Sequence, residues 1–203
     1  VSEEYLVFPI LERFNTFYLW EKDNIWYDFL RNEYDELNLL KLYFPEKNHQ
    51  NKLRISVEQI ISEDHDSIEK FLNKYKKKKA LIIYLKEKYD LSRNKLESNV
   101  KVKLFSNNNF NIVKFSMGDI YMETSETSNA KLISKTTIDE LNNWWKNKID
   151  SIQLESNDEK IIYIELKTAN LKENIIIEKK IDDVIGEDSF NIFELTSKKI
   201  VYK

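Results

Sequence analysis

A chain of 203 residues, 41% hydrophobic, 13% aromatic and 33% charged, can bury a substantial core and is not that of a disordered protein. Its formal net charge of -3 gives no global field to attract nucleic acid non-specifically, and the absence of cysteine excludes disulfides, thiolate metal sites and a cysteine nucleophile. The only glycines, Gly118 and Gly186, cannot build a Walker A loop, a GxGxxG fingerprint or a GxSxG elbow, so turns fall to Asn, Asp and Ser.

Val1-Ser2-Glu3-Glu4 lacks the basic region of a signal peptide, and no run approaches eighteen apolar residues, so no membrane segment is expected. A cytoplasmic location is the default expectation, and a first residue other than Met points to a trimmed fragment. From Tyr5 to Phe44 the apolar residues Phe8, Leu11, Phe14, Tyr18, Ile25, Phe29, Leu37 and Leu40 fall at helical spacing, which predicts two or three helices. Pro9 fits a first helical turn, and Asp23-Asn24 fits a cap for a helix from Ile25. The aromatics of this stretch, Trp20 and Trp26 among them, form a stripe suited to a core or a partner interface, with base stacking as the alternative. A polar loop from Pro45 to Asn51 then marks the boundary between a helical N-terminal part, 1–48, and an α+β domain, 49–203; one continuous domain is the alternative.

Leu53 to Val57 alternates as a strand does, and Asp66-Ser67-Ile68-Glu69 reads as a capping box for a helix that runs into Lys76-Lys77-Lys78-Lys79. Four lysines there are a solvated surface or a phosphate contact. Ala80 to Leu85 reads as a buried strand paired with Val100 to Phe105, followed by an Asn107-Asn108-Asn109 turn, strands at Asn111 to Phe115 and Asp119 to Glu123, and a brief strand at Lys131 to Ile133. Thr137-Ile138-Asp139-Glu140 is a capping box, and Leu141, Trp145, Ile149 and Ile152 continue at helical spacing after it. That helix either stops near Lys148, leaving Asp150 on a strand, or carries Asp150 with it. Lys160 to Lys167 reads as a strand, Ile175 to Ile185 as strand then helix or as one helix, and Phe190 to Leu195 with Lys199 to Tyr202 as a closing hairpin. The whole predicts an α+β fold: a helical N-terminal part followed by a mixed or antiparallel sheet with flanking helices.

Glu165 and Lys167 share one face of a strand, the placement a metal-dependent nuclease needs for a carboxylate that holds a hard cation and a lysine beside the attacking water. With Asp150 before the turn at Ser156 to Glu159, residues 137–202 resemble the PD-(D/E)xK nuclease core, although no proline precedes Asp150 and a strand usual in that family is missing. The resemblance implies Asp150 and Glu165 as magnesium ligands, Glu140 as a further ligand and Lys167 as the water-activating group. Residues 80–156 resemble a degenerate phospholipase-D-like half domain of the sort used as sensors in transcription regulators. The His-x-Lys of that family is absent here, so this second resemblance implies ligand sensing or dimerisation; it requires Asp150 to be helical. The two histidines, His49 and His65, are too isolated for a zinc site.

Trp144 and Trp145 occupy adjacent helical positions, so both are fully buried only if two elements flank the helix, and one of them marks an interface. The leading expectation is a non-enzymatic intracellular binding or regulatory domain that uses no cofactor and acts through a protein partner or self-association at Trp20, Trp26, Trp144 and Trp145, and through a ligand. The alternative is the magnesium-dependent nuclease, with nucleic acid as its substrate.

Overall fold

A computed structural model describes residues 4–35, 40–116 and 118–149 with their side chains, and the backbone of residues 150–155, 164–166, 192–196 and 199–202. The chain divides into two compact units, Val1–Ser151 and Ile152–Lys203.

The first unit is built on three long strands, β1 (Glu4–Arg13), β4 (Lys79–Asp90) and β5 (Lys95–Ser106). β1 runs parallel to β4, from Tyr5 opposite Lys79 to Arg13 opposite Glu87, and β4 runs antiparallel to the full length of β5. Each outer edge is shared by two short strands. β3 (Lys41–Tyr43) lies parallel to the first half of β1 and β2 (Thr16–Tyr18) antiparallel to its end. On the other side β6 (Asn109–Ile112) and β7 (Ile120–Thr124) divide β5 between them. The result is a mixed seven-stranded sheet in an α+β unit.

Helices cover both faces. On one, α1 (Ile25–Glu33) and α5 (Ala130–Glu155) pack on Tyr5, Val7, Leu11, Leu81, Ile83 and Val102. On the other, α3 (Val57–Ile61) and α4 (His65–Lys74) pack on Leu6, Phe8, Ile10 and Ile82, while α2 (His49–Arg54) is tied to the end of α4 by Asn51, which accepts from Lys74 (2.8 Å). Burial of this kind removes about 25 cal/mol of hydration cost per Å² of apolar surface, and it explains why β1 does not alternate: all eight of its inner residues are buried.

The helical reading of the N-terminal part is therefore corrected. A continuous apolar run satisfies a 3.6-residue period as readily as any other, and here a sheet covered on both faces claims it. Pro9 is tolerated in this central strand because its carbonyl, and with it the missing N–H, points to the edge shared by β2 and β3, into the gap between them. Asn24 fills that gap. Its buried side-chain amide donates to the carbonyls of Pro9 (2.8 Å) and Leu19 (3.0 Å), with Tyr18 at 3.3 Å, while its Oδ1 accepts the Tyr27 N–H (3.1 Å) as the cap of α1.

Two further readings change. Leu53 to Val57 is not a strand: Arg54 ends α2, Ile55 is buried and extended, and a Ser56/Gln59 capping box opens α3. Nor is Lys131 to Ile133 a strand, because α5 begins at Ala130; Thr137 lies within it and returns its hydroxyl to the Ile133 carbonyl (2.8 Å) instead of capping a new helix. The helix runs on through Asp150 to Glu155. In the second unit, β8 (Ile164–Leu166), β10 (Lys199–Tyr202) and β9 (Ile192–Thr196) form an antiparallel sheet in that order, which includes the expected closing hairpin. The segment from Ile175 to Ile185 lies outside the described residues.

α4 is capped by Asp64, whose carboxylate accepts both the hydroxyl (2.7 Å) and the N–H (3.1 Å) of Ser67. The hydroxyl first, then the amide, hold this carboxyl below its ordinary range. A depressed carboxylate contributes stability above its unfolded pKa, about 3.9, and loses it as the pH falls through the lower folded value. The Ser67 amide is accordingly expected to shift and to exchange faster below about pH 4 in an NMR titration. The buried, uncharged cap at Asn24 should not respond over the same range.

Candidate functional site

The buried carboxylates at the C-terminal end of the parallel strands come first, because that end is where open α/β sheets commonly hold ligands. Glu87 accepts from Arg13 Nε (2.9 Å), the Ser128 hydroxyl (3.0 Å) and the Asn129 N–H (2.8 Å). On the opposite face Glu12 pairs with Lys86 (2.9 Å) and accepts the Tyr84 hydroxyl. Glu87 thus holds β1, β4 and the start of α5 together, and Glu12 holds β1 to β4. The turn beyond β4 is closed the same way: the Ser92 hydroxyl and then the Arg93 guanidinium hold the Asp90 carboxyl well below its usual range.

The residues singled out from the sequence are distributed as follows. Glu140 lies within α5, 3% exposed, and accepts the Ser116 hydroxyl at 3.3 Å. Asp150 is ten residues further along the same helix, about 15 Å of axial rise. Glu165 is on β8 in the second unit, and Lys167 lies outside the described residues. Among the described residues no group of three or more His, Cys, Asp or Glu is arranged to hold a metal ion, and no helix is long and apolar enough to cross a membrane.

Trp20 and Trp26 are core residues and not an interface: the first donates its indole N–H to Ile55 (2.9 Å), the second to Ile83 (3.0 Å), and both are nearly inaccessible. Only these pairings let an indole be buried without stranding its donor. Trp144 and Trp145 are both half-buried. They sit edge-on to Tyr5, with centroids at 6.1 and 5.6 Å, and the Lys148 ammonium stands over both rings.

What the sequence reading did not single out is a cleft of about 730 Å³ at the opposite, N-terminal end of β1 and β3. Glu4 and the β3 residues Lys41 to Tyr43 line it, with Phe44, Tyr34 and Arg31 completing the wall from the chain that follows β3 and from the end of α1. The volume falls within the range of small-molecule sites. Tyr34 is fixed by its hydroxyl, which accepts the Leu42 N–H (3.0 Å) and donates to the Leu40 carbonyl (3.3 Å), and its ring packs on Phe44. Burial pushes the Tyr43 phenol up, so it is a neutral donor at pH 7. Glu4 is ion-paired with Lys77. Arg31 is exposed and donates a long hydrogen bond to the Tyr27 hydroxyl (3.4 Å). The cleft therefore combines half-buried aromatic rings with the charged side chains of Arg31, Lys41 and the Lys77-paired Glu4.

Comparison of the chain with family models, with curated proteins and with solved structures returns no match.

Proposed function

We propose that this chain is a non-enzymatic binding domain that holds a small anionic ligand with a flat apolar body in the cleft between β3 and the end of α1, and that it also contacts a protein partner. The observation that carries the reading is the cleft lining: Tyr34, Tyr43 and Phe44 offer ring faces and edges, while Arg31 and Lys41 supply positive charge. Protein contact is supported by Phe14, which is 62% exposed and held at φ 50°, in the left-handed region, at the tip of the β1–β2 hairpin. Asn or Gly would occupy that position of the two-residue turn with less strain, so the exposed aromatic there is retained against the local backbone preference.

Adenosine monophosphate, against adenosine, is a suitable probe pair for isothermal titration. The monophosphate is expected to bind and to be recovered unchanged, and Arg31→Ala to weaken it by roughly 10- to 100-fold, the effect of one charge-assisted hydrogen bond of about 1.5–3 kcal/mol. Because Arg31 is exposed, its removal should leave the melting temperature nearly unchanged. Equal binding of adenosine and its monophosphate, an unaffected Arg31→Ala variant, or turnover of the nucleotide would each overturn the reading.

A further inference from the structure

The cleft opens on a basic end of the sheet. The four-lysine run lies immediately next to it, in the turn from α4 into β4, with Lys76 at φ 54° and both Lys76 and Lys78 exposed. Lys77 reaches Glu4 on the cleft wall, and its ammonium stands 5.0 Å from the centre of the Tyr43 ring. Tyr43 in turn packs on Tyr75 at 5.3 Å, and Lys74 lies 4.6 Å from the centre of that ring. Cations and half-buried rings therefore alternate from Arg31 through Tyr43 to Tyr75. The carboxylates that act on Tyr43 here are Glu46 and Glu4, the latter paired with Lys77.

Resting on the reading of the cleft as an anion site, we infer that this end of the sheet binds single-stranded nucleic acid, one nucleotide in the cleft and its neighbours along Tyr43, Tyr75 and the lysine turn. The chemistry fits a single strand. Its bases expose flat faces that stack on aromatic rings, while its phosphates recur at a spacing that successive lysines can follow. An ammonium over a ring can swing to a phosphate as a base takes its place on the ring. A duplex offers no such faces.

The test uses the full chain and a fluorescein-labelled dodecathymidine, measured by anisotropy over a range of salt. Binding should weaken with a log–log salt slope of roughly -3, which corresponds to four or five neutralised phosphates at about 0.7 per contact on a single strand. Lys76→Asn with Lys78→Gln, where Asn suits the left-handed position, should lower affinity about tenfold or more. The pair Lys131→Gln and Lys135→Gln removes the same charge at the start of α5, at the other end of the sheet, and should change little. Adenosine monophosphate binding without dodecathymidine binding would overturn this inference and leave the cleft reading standing; failure of both would remove both. Equal loss in the two double variants, or equal affinity for heparin, duplex DNA or phosphatidylserine vesicles, would show non-specific charge attraction and sink the inference as well.

Discussion

Glu87→Ala is expected to lower the stability of the first unit by about 3 kcal/mol, since breaking a buried ion pair from one side typically costs 3–5 kcal/mol and Arg13 retains some solvent. The Glu87 side chain is fully inaccessible, whereas that of Arg13 is 24% exposed. Truncation strands the Asn129 N–H and the Ser128 hydroxyl as well as the guanidinium, so three donors at the junction of β1, β4 and α5 lose their acceptor. A loss of this size should appear as a melting temperature lower by about 10 °C. Because the groups act together, Arg13→Ala with Glu87→Ala should cost less than the sum of the two single changes, by about 1–3 kcal/mol. Strict additivity in urea titrations would mean that the network is not coupled. The Asn129 amide offers a local check: its hydrogen exchange should quicken in Glu87→Ala more than that of amides in α4.

The Glu87 and Glu12 networks bear on function by position. Glu87 and Glu12 occupy the C-terminal ends of parallel β1 and β4, the place where a strand-end ligand would be sought, and both are occupied in cross-linking elements. The cleft, the lysine turn and the half-buried tryptophans lie at the opposite end. One end of the sheet is closed by satisfied carboxylates; the other presents cations and ring faces.

How much of this was legible follows from which interactions are local. The pairing of β4 with β5, the Asn107-Asn108 turn at φ 53° and 55°, and the last hairpin are each written in contiguous residues, and the sequence reading places them. The α+β class was readable for the same reason. β1 was not, because its eight buried residues carry no period of their own and their conformation depends on β4, more than seventy residues away. The cleft was illegible for a related reason: Glu4, Arg31 and Lys41 meet only when β3 lies parallel to β1, and no local pattern encodes that pairing. The lysine run was visible as a charge cluster, but its neighbours Tyr43 and Glu4 were not. Trp20 and Trp26 looked like interface residues because a sequence shows an indole without the carbonyl that will accept its N–H.

Asn24→Ala is expected to cost about 3–5 kcal/mol, the sum of a lost helix cap at about 1 kcal/mol and two buried carbonyls left without a donor at about 1–2 kcal/mol each. Asn24 is completely buried, so water does not replace its amide at Pro9 and Leu19. Asn24→Asp separates the two roles. As a cap, Asp is as good as Asn, and if capping were the whole of its contribution the exchange would be nearly neutral. In the gap between β2 and β3, however, a carboxylate has no N–H to give and sets a negative charge against the same carbonyls, so Asn24→Asp should be at least as damaging as Asn24→Ala. Chemical denaturation of the three proteins measures this directly. A near-native midpoint for Asn24→Asp would show that Pro9 is accommodated in the central strand without Asn24, and that the packing of α1 side chains such as Trp26 and Leu30 is enough to hold the helix to the sheet.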